Sequence, residues 1–253
     1  MNRQTGPIKI QATLGDVTYY KRNGVYLVKR KSVVSRNRLK YSREYEAFRR
    51  HQQEFGQASI GGKWIRNAFA PLLEGLTDPN CVGRLTKSVL NVIQSDPVNP
   101  AGQRMIQDGD LGLLNGFEFN ARCALSQVLK VPIQLETDST TGSVILGIQY
   151  FIPARHLRYP KIASHFQLVL GIASMNVSSG QYQTNFAETV PMPVKSNLSS
   201  TLSISCALSQ ATTDPVMIVV GVRFSQLVSG VYEPVLNAKF LALGIVQIMK
   251  AGI

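Results

Sequence analysis

Cysteine is scarce and poorly placed for cross-linking. Cys81, Cys123 and Cys206 are the only three in 253 residues, an odd number at wide spacing. That pattern argues against a disulfide framework and fits a reducing compartment, so a cytoplasmic location is expected. Histidine is equally sparse: His51, His156 and His165 form no ligand pair at helical spacing, and no Cys lies near another Cys or a His at zinc-site spacing. No metal is therefore expected. Long apolar runs are missing too. The stretches around residues 216–222 and 240–249 fall well short of the roughly 20 residues that a membrane span needs. Residues 1–9 are polar and no apolar run of signal-peptide length follows, so the expectation is a chain with no membrane span and no secretory signal.

Motifs that carry chemistry are absent as well. Residues 56–64 read Gly-Gln-Ala-Ser-Ile-Gly-Gly-Lys-Trp, which superficially resembles a phosphate loop. Five residues separate the first Gly from the Gly-Lys pair, Trp64 stands where a hydroxyl would bind magnesium, and a helical pattern precedes it. Each point departs from what that loop requires, and Gly61-Gly62 reads better as a joint between two helices. Asp108 and Asp110 are close carboxylates in Gln-Asp-Gly-Asp-Leu-Gly, but the further oxygen ligands of a calcium loop are missing and the segment reads as a turn. No local nucleophile elbow occurs. The expectation is a non-enzymatic protein with no catalytic residues, no cofactor and no small-molecule substrate.

The residues that are present make a packed protein: 44% are hydrophobic and 17% charged, unlike a disordered chain. The charge is unevenly spread. Of the net +12, residues 1–70 hold 15 Lys or Arg against 4 acids, and the remainder is nearly balanced at 12 against 11. Such asymmetry points to a polyanionic partner, against the plainer alternative of a solvated basic surface.

Periodicity sets the fold class as α+β. Ile8, Ile10, Ala12 and Leu14 alternate with polar residues; Gly15-Asp16 and Asn23-Gly24 supply two-residue turns, so residues 8–31 read as a three-stranded meander. Register places Ile10, Ala12, Leu14, Val17, Tyr19, Tyr26 and Val28 on one face, expected to be core, with Lys21 and Arg30 at its margins. The other face collects Lys9, Tyr20, Arg22, Lys29 and Lys31 among Thr18, Val25 and Leu27. Residues 32–40 form a basic connector. Three helices are expected, from Ser42 to about Phe55, over 60–73 with Trp64 in an apolar stripe, and from Asp78-Pro79 to Asp96-Pro97. Runs near 131–136, 143–152, 166–175, 182–187, 198–208, 216–228 and 239–249 are strand-like and suggest an antiparallel β-sandwich-like domain. The organisation expected is a basic β-meander and helical module over 1–97, a connector over 98–120 and the sandwich over 121–253.

The pattern Gly6-Pro7-Ile8-Lys9-Ile10, Tyr20-Lys21, Gly24, Tyr26, Arg30-Lys31, Gly62-Lys63 and Arg66-Asn67-Ala68-Phe69 resembles a group of bacterial hypothetical proteins, found mainly in Bacteroidota, that open with a basic β-hairpin. The resemblance covers roughly the first 90 residues and implies a bacterial source and a module boundary, with no activity to carry over.

Two functions are expected from these features. One is a structural or scaffold protein that self-associates as a homo-oligomer through exposed strand edges. The other is a protein that binds DNA or RNA on the basic module, with Arg36, Arg38, Arg43, Arg49 and Arg50 extending the cationic face that holds Lys9, Tyr20, Arg22, Lys29 and Lys31.

Overall fold

Alternation of side chains and the left-handed pair Asn23 and Gly24, with φ of 49° and 79°, build an antiparallel hairpin where the sequence places one. A computed structural model describes residues 2–31, 34–76, 78–138, 143–210 and 212–249. It divides into two units, Met1–Arg49 and Arg50–Ile253. In the first, β1 (Asn2–Arg3), β2 (Ala12–Leu14), β3 (Val17–Arg22) and β4 (Val25–Arg30) form one sheet in the order β1-β4-β3-β2. The meander is present in the expected register, with Leu14 opposite Val17 and Arg22 opposite Val25.

Two features of the sheet differ from expectation. Asn2 and Arg3 pair with Val28 and Leu27, adding a fourth strand. The strand expected from residue 8 begins only at Ala12, because Gln4 captures the chain first. Its side chain accepts the Ile10 N–H at 3.0 Å and donates to the Ile10 carbonyl at 3.0 Å, closing a loop around Gly6-Pro7. Beyond the sheet, α1 (Arg36–Tyr41) is capped by Ser35, whose hydroxyl accepts the Arg38 N–H, and a 3₁₀ turn at Arg43–Tyr45 follows.

Helix α2 spans Glu46–Ala68. The joint expected at Gly61-Gly62 is absent: both glycines lie inside one continuous helix and are buried. At Gly61 the reason is packing, whereas at Gly62 a Cβ would make only an ordinary contact. A Cβ on Gly61 would stand 2.5 Å from Ile106 Cδ1, and one on Gly62 would stand 3.6 Å from Leu85 Cγ. The segment resembling a phosphate loop is thus wholly helical.

The second unit continues with α3 (Ala70–Leu73), α4 (Cys81–Gln94), α5 (Leu125–Val128), β5 (Gln134–Asp138), β6 (Ser143–Phe151), α6 (Pro153–His156), β7 (His165–Met175), β8 (Tyr182–Glu188), β9 (Met192–Pro193), β10 (Ser200–Ala207), β11 (Val216–Val228), β12 (Val231–Pro234) and β13 (Ala242–Met249). The third expected helix starts at Cys81 instead of Pro79. Asp78 is occupied by accepting the N–H groups of Asn80 and Ala121. All strands of both sheets pair antiparallel. A three-stranded sheet runs β10-β6-β5, and a six-stranded sheet runs β12-β11-β7-β8, with β13 on β11 and β9 on β7.

The larger sheet is buried on both faces, which explains its unbroken apolar runs. From β7, Leu168, Leu170 and Ile172 join Val144, Leu146 and Ile148 of the small sheet in one core. The intervening Val169, Ala173 and Met175 join Leu85, Val89, Val92 and Ile93 of α4 in the other. Each large apolar side chain among them contributes about 1.5–3 kcal/mol. The result is a helical layer, a curled six-stranded sheet and a three-stranded sheet, so the expected α+β class with a sheet-rich C-terminal part is what the chain adopts. Residues 98–120, expected as a connector, send Ile106, Leu111, Leu114, Phe117 and Phe119 into the same core as α2 and α4. Trp64, expected on an apolar stripe, is half-buried at the edge of that core, with its indole against Gly180. Among the described residues, no helix is long and apolar enough to cross a membrane.

Candidate polyanion-binding surface

Cross-strand register fixes which basic side chains share a face. On one face, Thr18 is opposite Lys29, Tyr20 opposite Leu27 and Arg22 opposite Val25, and Arg3 of β1 lies beside Leu27. Lys29 Nζ stands 5.5 Å from the centre of the Tyr20 ring, a cation–π distance. On the opposite face, Val17 is opposite Arg30, Tyr19 opposite Val28 and Lys21 opposite Tyr26. Lys21 Nζ stands 5.1 Å over the Tyr26 ring.

The face expected as core is not one. No described residue of the first unit is buried. Leu14 is 57% exposed and Ile8 is 79% exposed, while Val17, Tyr19, Tyr26 and Val28 are half-buried. The physical cause is size. Two- to six-residue strands and a helix α1 with no buried residue supply too few apolar side chains to close over either face. Both faces therefore present a cation on an aromatic ring.

The ten residues singled out from the sequence separate into groups. Tyr20, Arg22 and Lys29 share the face expected of them, and Lys31 is exposed just past β4, with its N–H donated to the Asp16 carbonyl. Lys9 is off the sheet: its Nζ donates to the carbonyls of Gln4 at 2.5 Å and Gly6 at 2.7 Å, bracing the opening loop. Arg36 and Arg43 are exposed. Arg38 is paired with Glu44 at 2.5 Å; the contact raises the guanidinium pKa and lowers that of the carboxyl. Arg49 is spent locally, its Nη1 donating to the carbonyls of Leu39 at 3.0 Å and Ser42 at 2.8 Å at the end of α1. Arg50 belongs to the second unit, where its side chain packs over Gly102. Arg3, Lys21 and Arg30 are further cations of the sheet that the sequence reading leaves out of the candidate surface. Lys21 and Arg30 are legible as cations in strand register, whereas Arg3 depends on β1, whose two residues carry no periodic signal.

No family model, no curated protein and no solved structure matches this chain.

In the second unit the main polar cluster ties elements together. Arg84 donates through Nη2 to Asp78 at 2.7 Å and to the Phe119 carbonyl at 3.1 Å, and through Nη1 to the Glu118 carbonyl at 2.7 Å. The Ala121 N–H, with that of Asn80 and the Arg84 guanidinium, holds the Asp78 carboxyl at about 2 in spite of its burial. Burial pushes Glu118 upward, only partly offset by the Leu125 N–H. Ser164 Oγ lies 2.9 Å from His165 Nδ1, but the same hydroxyl accepts the Leu227 N–H at 2.7 Å and ties the start of β7 to β11. Cys123 and Cys206 are buried, Cys81 is half-buried, and all three are free thiols. Among the described residues, no group of three or more His, Cys, Asp or Glu is placed to hold a metal ion.

Proposed function

We propose that this chain is a non-enzymatic structural protein that self-associates, and that its basic first unit contacts a polyanion. The observation that carries the reading is the character of residues 1–49. They hold 12 Lys or Arg against 3 acidic residues, and none of those described is buried. A charge of that density on a surface with no core attracts an anionic partner.

Self-association draws support from the second unit. Residues 50–253 carry 15 basic against 12 acidic side chains, so copies repel one another little. The hairpin of β11 and β12 ends in Leu227, Val228, Val231 and Tyr232, all exposed and apolar, paired around the turn at Ser229-Gly230. Strands β5 and β12 lie at sheet edges and leave backbone groups for strand addition. Three free thiols suit a reducing compartment, and we place the protein in the cytoplasm on that basis.

A second reading makes nucleic acid the polyanion. The pairs of Lys29 with Tyr20 and Lys21 with Tyr26 favour it, since phosphate and base call for a cation beside an aromatic ring. Size-exclusion chromatography with light scattering, combined with the ultraviolet absorbance ratio before and after a high-salt wash, tests both parts. A mass above one chain and absorbance removed by salt are expected. A single-chain mass at all concentrations would overturn self-association, and an unchanging protein-like spectrum with no oligonucleotide retained would overturn polyanion contact.

A further inference from the structure

Four strands and a short helix normally hold together because one face of the sheet is dry. Here the described residues of the first unit include none that is buried, although Ile8, Ile10, Leu14, Tyr41 and Phe48 are available for burial. The fold of this unit is specified by its ladder, by the left-handed turn at Asn23-Gly24 and by side-chain ties such as Gln4 to Ile10. None of these offsets the backbone entropy of ordering nearly fifty residues. Twelve cations among three anions also oppose compaction by mutual repulsion.

What completes the unit must therefore bring both surface and negative charge. A second copy of the same unit brings surface but doubles the positive charge. We infer that the partner is a single-stranded nucleic acid, and that the first unit acquires its stable fold on binding it. The inference rests on the nucleic-acid reading above.

Phosphates neutralise Arg3, Arg22, Lys29 and Lys31 on one face, and Lys21 and Arg30 on the other. Tyr20 and Tyr26 are half-buried beneath Lys29 and Lys21, and drawing those cations onto phosphates uncovers a ring face on which an unpaired base stacks. A duplex keeps its bases stacked on one another and cannot use those rings, so the aromatic component selects the single strand. Ordering on binding is the expected behaviour of a highly charged segment with too little apolar burial of its own.

The test uses the full chain and follows two signals in the same samples. Fluorescence anisotropy of a labelled oligothymidylate of about 20 nucleotides reads binding, and amide hydrogen exchange over residues 17–30 reads order. Parallel samples contain the matching duplex, inorganic polyphosphate, or high salt with no nucleic acid at raised protein concentration. The expected result is fast exchange in the free chain and protection rising at least about tenfold with the single strand. The duplex and polyphosphate should protect less, and the Lys29→Ala, Lys31→Ala double variant should shift the midpoint to higher oligonucleotide concentration.

Binding without any gain of protection, or full protection in the free chain, would overturn the inference and leave the nucleic-acid reading standing. Absence of binding at low salt would overturn both. Equal protection by duplex or polyphosphate would overturn the choice of a single strand. Protection gained with protein concentration in high salt alone would make the partner a second copy.

Discussion

Gly61 of α2 faces Ile106: a Cβ on the glycine would lie 2.5 Å from the isoleucine Cδ1, with Val89 Cγ1 at 3.2 Å. This contact sets how closely the helix approaches α4 and the 3₁₀ turn at Ile106–Asp108. Gly61→Leu should lower stability by about 1–3 kcal/mol through overpacking. A methyl group on Gly56, in the same helix, would meet nothing within 4 Å, and Gly56→Ala should raise stability by about 0.5–1 kcal/mol through helix propensity. A thermal melt of both variants checks the pair; a neutral Gly61→Leu would mean that the two helices are not packed as described.

Acid should loosen the second unit through Asp78 and Asp96. The Ala121 N–H is the largest influence on Asp78 and, with Asn80 and Arg84, lowers it to about 2. At Asp96 burial acts upward, but the Asn99 side chain and the N–H groups of Val98, Met105 and Asn99 outweigh it and also give about 2. A folded-state value below the ordinary one means stability present above the ordinary carboxylate pKa and lost as pH falls through about 4 towards 2. Tm should be flat from neutral pH to about 5 and fall below about 4. Asp78→Asn should lower Tm at neutral pH and flatten the acid limb. An acid limb identical to that of the parent protein would count against this cluster.

Arg84 secures the same region. Replacing it by Leu removes two hydrogen bonds to carbonyls and one to the buried Asp78 carboxylate, and should cost about 2–3 kcal/mol. Denaturant unfolding measures this, and a change under about 0.5 kcal/mol, the range of ordinary surface substitutions, would contradict it.

How much of the structure is legible in the sequence follows from how local each cause is. The hairpin at Asn23-Gly24 is readable because only certain residues accept φ of 49° and 79°. Strands such as Val216–Val228 announce themselves by continuous apolar character. Gly61-Gly62 reads as a joint because what crowds Gly61 is Ile106, far along the chain. The expected dry face of the meander fails for a related reason. Alternation gives the parity of Tyr19 and Tyr26 but not whether anything covers them. In the candidate surface the charges are plain, while the diversion of Arg38 to Glu44, Arg49 to the α1 carbonyls and Lys9 to Gln4 and Gly6 depends on three-dimensional proximity.

Lys29→Ala with Lys31→Ala should weaken nucleic-acid binding and reduce its salt slope by up to roughly two on duplex DNA. Removing the ion pair with Arg38→Ala and Glu44→Ala should leave the slope within about half a unit, since that pair is already neutral. Titrations at several salt concentrations compare them, and equal effects of the two double variants would contradict the assignment.

The turn links fold to binding. Gly24→Val places a β-branched residue at φ of 79°, a strain above about 1 kcal/mol. If the first unit folds on its ligand, that strain appears as affinity lost about fivefold or more, with the Tm of the second unit unchanged. Unaltered affinity would mean that the hairpin is not part of the binding state.

Light scattering with absorbance at two wavelengths, on the full chain with single-stranded oligonucleotide at low salt, reads self-association and polyanion contact at once. Particles of several chains that carry nucleic acid, and that release it but stay associated when salt is raised, are expected. A single-chain mass with no co-eluting nucleic acid at any concentration would contradict both.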